Sequence, residues 1–178
     1  MLNCQNTSEN AICIYTNGSK LDGGVRCVAV IKCNDEVLQT WKGHLESGNT
    51  VFQAEVAAIR QAIEVTEQFD GHTFRIFTDS HSASYAIRNP YYSSTQIADI
   101  QALLRESETR MTIHISWIKA HAEYQGNEEA DELDKEAERN IITQPVPILL
   151  PRSHLKRQIW EKALKQWQEE WDAASSSR

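Results

Sequence analysis

Four polar residues that lie far apart in the chain could together carry out metal-dependent chemistry. Asn17 and Asp79 each follow a run of apolar residues, whereas Glu55 and Asp131 lie in stretches with helical periodicity. Carboxylates brought together repel one another unless a cation lies among them, and Mg²⁺ prefers oxygen ligands. Two such ions in one site are typical of phosphodiester hydrolysis, and this is the chemistry that the pattern indicates.

The elements that would position these residues form a predicted α/β domain. β-Branched and apolar runs predict five strands, at 11–17, 25–33, 36–44, 73–80 and 111–119. Helical patterns predict four helices, beginning at Val51, Ser82, Ser93 and Glu128, with capping boxes at Thr50–Gln53 and Ser93–Gln96. The short links between the first three strands favour antiparallel pairing, and the later helices act as crossovers. We therefore expect a five-stranded mixed sheet with helices on both faces, and polar residues meeting at the carboxyl ends of its parallel strands.

Segments of different composition flank this domain. We expect an N-terminal tail at 1–10, the domain at 11–142, a proline-rich linker at 143–152, and a C-terminal helix with a frayed end at 153–178. The helix carries an apolar stripe of Leu155, Ile159, Ala163, Trp167 and Trp171, flanked by Trp160 and Leu164. The stripe either packs on its own domain, which we favour, or docks to another part of a polyprotein or to a second copy of itself.

Composition limits the possible functions. The chain has 178 residues, with 18 Lys and Arg against 25 Asp and Glu, so its formal net charge is −7 at pH 7. Nothing in this overall charge attracts a polyanion, and a nucleic acid would have to be held locally, by metal ions or a small basic face. We expect the four cysteines to be reduced thiols, because they form no C-x-x-C pair. With no signal peptide or apolar span, we predict an intracellular location, nuclear or cytoplasmic, away from membranes.

Four motifs resemble those of the ribonuclease H family. In chain order they are "YTNGS", "FQAEVAAI", "FTDSHSA" and "WIKAHAEYQGNEEADELDKEA", and together they extend over about residues 11–140. The resemblance is strongest to domains of retrotransposon polyproteins of the non-long-terminal-repeat type. It implies the ribonuclease H-like fold and cleavage of the RNA strand of RNA–DNA hybrids with two Mg²⁺ ions, for which Mn²⁺ can substitute. It also implies a domain normally tethered to a reverse transcriptase.

The resemblance also implies roles for individual residues. The positions of the four metal-binding acids are held by Asn17, Glu55, Asp79 and Asp131. His121 matches a mobile loop histidine that assists proton transfer or product departure. The backbone at Gly18 and Ser19 would lie near the RNA 2′-hydroxyl groups, and Ser80 and His81 are further candidates for substrate contact. Trp117 is expected to belong to the core.

Asn17 departs from the family pattern, which has an aspartate at this position. An amide offers one neutral oxygen where a carboxylate offers two charged ones, so we expect hybrid binding with roughly a thousandfold slower cleavage. Experimental replacement of an aspartate is the explanation we favour, because every other catalytic position is intact, and natural decay is the alternative. In the second case the chain would be a non-catalytic hybrid-binding or structural module. A relative acting on DNA, such as an integrase or resolvase, is disfavoured by the Gly126–Asp131 ending.

Overall fold

The described part of the chain forms one mixed sheet with four helices. A computed structural model describes residues 11–21, 24–34, 36–69, 73–119 and 143–175. The strands are β1 (Ile12–Leu21), β2 (Gly24–Cys33), β3 (Glu36–Leu45), β4 (Thr73–Thr78), β5 (Thr112–Trp117) and β6 (Gln144–Pro145). The helices are α1 (Val51–Thr66), α2 (His81–Arg88), α3 (Thr95–Ser107) and α4 (Arg152–Ser175).

The strand order is β5-β4-β1-β2-β3-β6, which confirms the predicted α/β architecture. β1, β2 and β3 pair antiparallel, whereas β4 pairs parallel with both β1 and β5. The predicted count of five strands is one short, because β6 adds a parallel edge strand next to β3. Pro145 is compatible with this position, since an edge strand needs no donor on its outer side. β1 also continues past its predicted end at Asn17, because β2 pairs with it as far as Leu21.

Helices α1, α2 and α3 cover one face of the sheet. Their buried apolar residues belong to a single core with alternate residues of β1 and β4, including Ile12, Ile14, Phe74 and Ile76. Burial of each such large side chain contributes about 1.5–3 kcal/mol. A smaller cluster of Val28 and Val30 with Tyr15 is separate from this core. The predicted helix at 128–140, which would supply the opposite face, lies outside the described residues.

Of the two predicted capping boxes, the structure contains one. The box at Thr50 is confirmed: Gln53 N–H donates to Thr50 Oγ1 at 3.2 Å, and Thr50 N–H donates to Gln53 Oε1 at 3.1 Å. The second predicted box is wrong, because Ser94 is the N-cap of α3 and its side chain makes no capping bond. α3 is held instead by the burial of Ile97 and Ile100 in the core.

Residues 143–151, here called the edge strap, pack on the domain where a linker was predicted. Val146 N–H donates to His44 O at 2.9 Å, and Trp41 Nε1 donates to Gln144 Oε1 at 3.0 Å. Farther along, Gln53 Nε2 donates to Leu149 O at 3.0 Å. Val146 and Ile148 pack against the core. These contacts fasten the edge strap along β3 and onto the start of α1.

Helix α4 follows the edge strap and extends into solvent. Every residue from Leu155 to Ala174 is exposed. The favoured prediction that its apolar stripe packs on the same domain is therefore wrong. At the start of the helix, His154 lies beside Gly48 and is only partly exposed, and the residues that follow it are exposed.

Among the cysteines in the described ranges, one differs from expectation. Cys13 and Cys27 are reduced thiols as predicted, whereas Cys33, at the end of β2, is disulfide-bonded. Among the described helices, none has the length and apolar character that crossing a membrane requires.

Candidate active site

Asn17 and Asp79 are neighbours at the end of the parallel β1–β4 pair. The last paired residues of these strands are Thr16 and Thr78, and Asn17 and Asp79 each follow directly. Paired strands lie about 4.8 Å apart, so the two residues leave the ladder side by side. Thr16 Oγ1 donates to Phe77 O at 3.1 Å and adds a cross-strand bond at this end. The parallel register therefore brings together two residues that are far apart in sequence.

A close approach of α1 to β1 brings Glu55 to the same place. A Cβ atom at Gly18 would lie 2.6 Å from Glu55 N and 2.9 Å from the carbonyl carbon of Ala54. Only glycine allows the strand and the helix backbone to come this close. Glu55 is 5% exposed and Asn17, the residue before Gly18, is 8% exposed. Glu55 therefore lies against the residue that follows Asn17, and Asn17 lies beside Asp79.

The turn after β4 holds Asp79 through its backbone. Ser80 is the N-cap of α2, since Ala83 N–H donates to Ser80 Oγ at 3.3 Å. The cap therefore does not use the Asp79 carboxylate. Ser80 N–H donates to Thr78 Oγ1 at 3.1 Å, and Trp117 Nε1 donates to Asp79 O at 3.0 Å. These bonds fix the turn from two sides.

The candidate metal ligands in this region can each offer an oxygen atom. Glu55 and Asp79 supply carboxylates and Asn17 supplies an amide oxygen, a set that fits a hard divalent cation such as Mg²⁺ rather than zinc. Burying the Glu55 side chain as a carboxylate is costly, and a cation would offset that cost. Within the described ranges, no group of three His, Cys, Asp or Glu side chains is placed to hold a metal ion. Asp131 and His121, the remaining predicted site residues, lie outside the described residues.

The predicted substrate-contact residues surround the same position. Gly18 is buried, Ser19 is half-buried, and both belong to β1. Ser80 is engaged as the cap of α2, whereas His81, the first residue of that helix, is exposed. Of the four, His81 is therefore the side chain most accessible to a large ligand.

Sequence reasoning missed a shallow depression beside Asp79. Its lining consists of His81, Ser84, Tyr85, Arg88, Ser116 and Trp117, and its volume is about 390 Å³. Trp117 is 46% exposed, so its assignment to the core is wrong: it lies at the end of β5, where its ring meets His81 edge-on at a centroid distance of 5.7 Å. The spacing of His81, Tyr85 and Arg88 along α2, four and then three residues apart, was the available signal.

A larger groove, of about 890 Å³, lies between α1, the start of α3 and the edge strap. Its lining mixes polar and apolar side chains, among them Gln53, Arg60 and Asp99. None of the predicted site residues lines it, so size alone does not identify the reactive part of this molecule.

Comparison with known proteins identifies similar sequences and folds. The chain is 31% identical over 131 residues to a ribonuclease H of Jannaschia sp. (strain CCS1), an alignment that covers 66% of this chain and 82% of the relative. The fold is similar to LC11-RNase H1, isolated from compost by a metagenomic approach, with a TM-score of 0.59, 22% identity and coverage of 72% of this chain and 95% of that one.

Two further solved structures have the same fold. LC11-RNase H1 in complex with an RNA/DNA hybrid gives a TM-score of 0.57 at 20% identity, covering 70% of this chain and 94% of that one. RNase H1 from the halophilic archaeon Halobacterium salinarum NRC-1 gives 0.57 at 19% identity, covering 72% and 98%. Residues 9–139 match the RNase H family profile, and the chain belongs to the ribonuclease H family.

Proposed function

We propose that this chain is a ribonuclease H domain that binds RNA–DNA hybrids and cleaves the RNA strand, with its cleavage strongly weakened by Asn17. The observation that carries the proposal is the placement of Asn17 and Asp79 side by side after the β1–β4 ladder, with Glu55 on the helix that overlies Gly18. Family membership supports the reaction class, and the hybrid bound to LC11-RNase H1 supports the substrate.

In this proposal Asn17, Glu55, Asp79 and Asp131 hold two Mg²⁺ or Mn²⁺ ions. When bound, the ions polarise the scissile phosphate and activate water. The backbone at Gly18 and Ser19 lies along the RNA strand, where 2′-hydroxyl groups distinguish RNA from DNA. His121 assists proton transfer or product departure. His81 and Trp117 face the substrate from the α2 side, where aromatic rings favour stacking.

The weakening follows from the charge missing at position 17. At an effective dielectric constant of about 20, two unit charges about 4 Å apart interact by about 4 kcal/mol. Loss of that much stabilisation from the transition state slows the reaction roughly a thousandfold. Because the amide has nearly the same shape as a carboxylate, we expect Asn17 to lower the cleavage rate without lowering the stability of the fold.

Tethering to a reverse transcriptase within a retroelement polyprotein completes the proposal. The net charge of −7 gives the isolated domain no general attraction to nucleic acid. Only residues 89–94 separate α2 from α3, which leaves no room for a basic insertion there. Isolated affinity should therefore be weak and dependent on salt, and covalent attachment to the polymerase would raise the effective concentration of hybrid.

The decisive experiment is the Asn17→Asp variant, assayed on an RNA–DNA hybrid with Mg²⁺ or Mn²⁺. We expect cleavage of the RNA strand to increase by roughly a thousandfold over the unaltered chain. The double variant Asn17→Asp with Asp79→Asn is the matched control and should remain slow. If the Asn17→Asp variant cleaves the hybrid no faster than this control, the proposal that the domain is a ribonuclease is wrong.

The second candidate function is a non-catalytic hybrid-binding module with the same fold. The amide at position 17 favours this candidate, because it weakens metal binding at the site. The two candidates predict the same hybrid binding by the unaltered chain but different outcomes for Asn17→Asp. Hybrid binding without cleavage by that variant would select the binding module. Cleavage of duplex DNA by the same variant would instead indicate a DNA-acting relative.

A further inference from the structure

Helix α4 carries a coiled-coil repeat on an exposed face. Trp160, Leu164, Trp167, Trp171 and Ala174 follow one another at alternating spacings of four and three residues, and we call them the heptad seam. The first four are 69%, 51%, 54% and 59% exposed. Apolar residues at this spacing form the contact line of a left-handed coiled coil. A helix with such a line gains stability from pairing with another helix.

The charges of α4 are divided between its two halves. Residues 152–165 contain five basic residues, Arg152, Lys156, Arg157, Lys162 and Lys165, against the single acid Glu161. Residues 166–175 contain three acids, Glu169, Glu170 and Asp172, and no basic residue. A parallel pair of such helices would place like charges together, whereas an antiparallel pair places the basic half beside the acidic half. Antiparallel packing also opposes the two helix dipoles favourably.

We propose that α4 pairs with α4 of a second copy of this chain, antiparallel and about a twofold axis. A self-complementary patch is what such symmetry requires, because each copy presents the same residues to the other. In the register that aligns the two heptad seams, Trp160 faces Trp171 of the second copy. Leu164 then faces Trp167, and Arg157 faces Ala174.

The area available is sufficient for this pairing. A fully buried aromatic side chain removes about 150–250 Å² from water. Three tryptophans and a leucine that are more than half exposed therefore remove roughly 500 Å² per copy, or about 1,000 Å² in the pair. This reaches the lower range of specific protein interfaces, so we expect a reversible dimer that depends on concentration.

The first test is the mass of the full chain in solution, measured by sedimentation equilibrium over a range of concentrations. We expect a twofold increase over the monomer mass of 20.3 kDa. Trp167→Glu places a charge at the centre of the heptad seam and should give monomer. Gln158→Glu adds the same charge on the opposite face of α4 and should leave the dimer intact. A monomer for the unaltered chain, or a dimer that survives Trp167→Glu, would overturn the proposal.

The second test fixes the orientation. Arg157→Cys and Ala174→Cys chains are mixed and mildly oxidised, with the unaltered chain as the control for its native cysteines. Antiparallel pairing gives a disulfide-linked dimer in the mixture and none from either variant alone. Cross-linking of each variant with itself would show parallel pairing and contradict the proposed arrangement. Neither test depends on nuclease activity, so both are independent of the proposed function.

Discussion

The indole nitrogen of Trp117 donates a hydrogen bond of 3.0 Å to the backbone carbonyl oxygen of Asp79. Trp117 ends β5 and is paired with Thr78, the residue before Asp79. The bond therefore crosses between parallel strands at the end of the sheet where the candidate site lies. Because His81 meets the same indole ring edge-on, one side chain links the turn after β4 to the start of α2.

Trp117→Phe should disturb the site more than the fold. The variant keeps an aromatic ring but loses the donor to Asp79, and a hydrogen bond of this kind contributes about 0.5–1.5 kcal/mol to the free energy of unfolding. In the Asn17→Asp background we expect cleavage to fall by about tenfold to a hundredfold, because small displacements of a catalytic group are costly. Urea denaturation and a cleavage assay measure the two effects. Trp160→Phe, on α4, is the control and should alter neither when both are measured at protein concentrations low enough to keep the chain monomeric.

Gly18→Ala should lower the free energy of unfolding by about 1–3 kcal/mol, as overpacking does in a tight interior. The added methyl group would meet the backbone of Ala54 and Glu55, which cannot move without separating α1 from β1. Gly48→Ala adds the same group against the side-chain ends of Leu150 and His154, which can rotate away. Thermal unfolding of both variants should show the larger loss at position 18. Equal losses would mean that the strand–helix approach is not tight.

Mg²⁺ should stabilise the Asn17→Asp variant more than the unaltered chain. A ligand that binds only the folded state adds about 2.7 kcal/mol to the free energy of unfolding at a concentration one hundred times its dissociation constant. Calorimetric melting with increasing MgCl₂, compared with NaCl at equal ionic strength, measures the effect without any substrate. The double variant Asn17→Asp with Asp79→Asn should lose the additional stabilisation. If all three chains respond equally, the assignment of these ligands is wrong.

Two truncations should separate the edge strap from α4. A chain ending at residue 151 keeps the edge strap and loses only an exposed helix, so its melting temperature at low concentration should hardly change. A chain ending at residue 142 also loses Val146 and Ile148 from the core and the bond between Trp41 and Gln144. We expect it to lose about 3–5 kcal/mol and to melt roughly 6–20 °C lower. Similar melting of the two chains would show that the edge strap contributes little.

Local sequence signals predicted most of the sheet and the adjacency of Asn17 and Asp79 at the end of the β1–β4 pairing. β1 to β5 are runs of β-branched and apolar residues, and the capping box at Thr50 is a signal within four residues. The alignment of Asn17 with Asp79 followed from the expectation of parallel strands, because polar residues that end such strands meet at one edge.

Other features that depend on contacts between distant residues were not predicted. The bond from Trp41 to Gln144 joins residues 103 positions apart, and the proline-rich composition of the edge strap is equally typical of a linker. The stripe on α4 has the same pattern whether it packs on its own domain or on another molecule. Trp117 was assigned to the core because an apolar residue in a strand is usually buried, and its place at the strand end decides otherwise.

The β1–β4 ladder ends at Thr16 and Thr78 and is made of main-chain hydrogen bonds. It therefore forms whether residue 17 carries an amide or a carboxylate. Asparagine and aspartate are nearly isosteric, so the scaffold that a cutting enzyme needs persists in a chain that has asparagine at position 17. Under our proposal the nuclease keeps its fold but cleaves slowly, and exchange of the Asn17 amide nitrogen for an oxygen atom would restore cleavage.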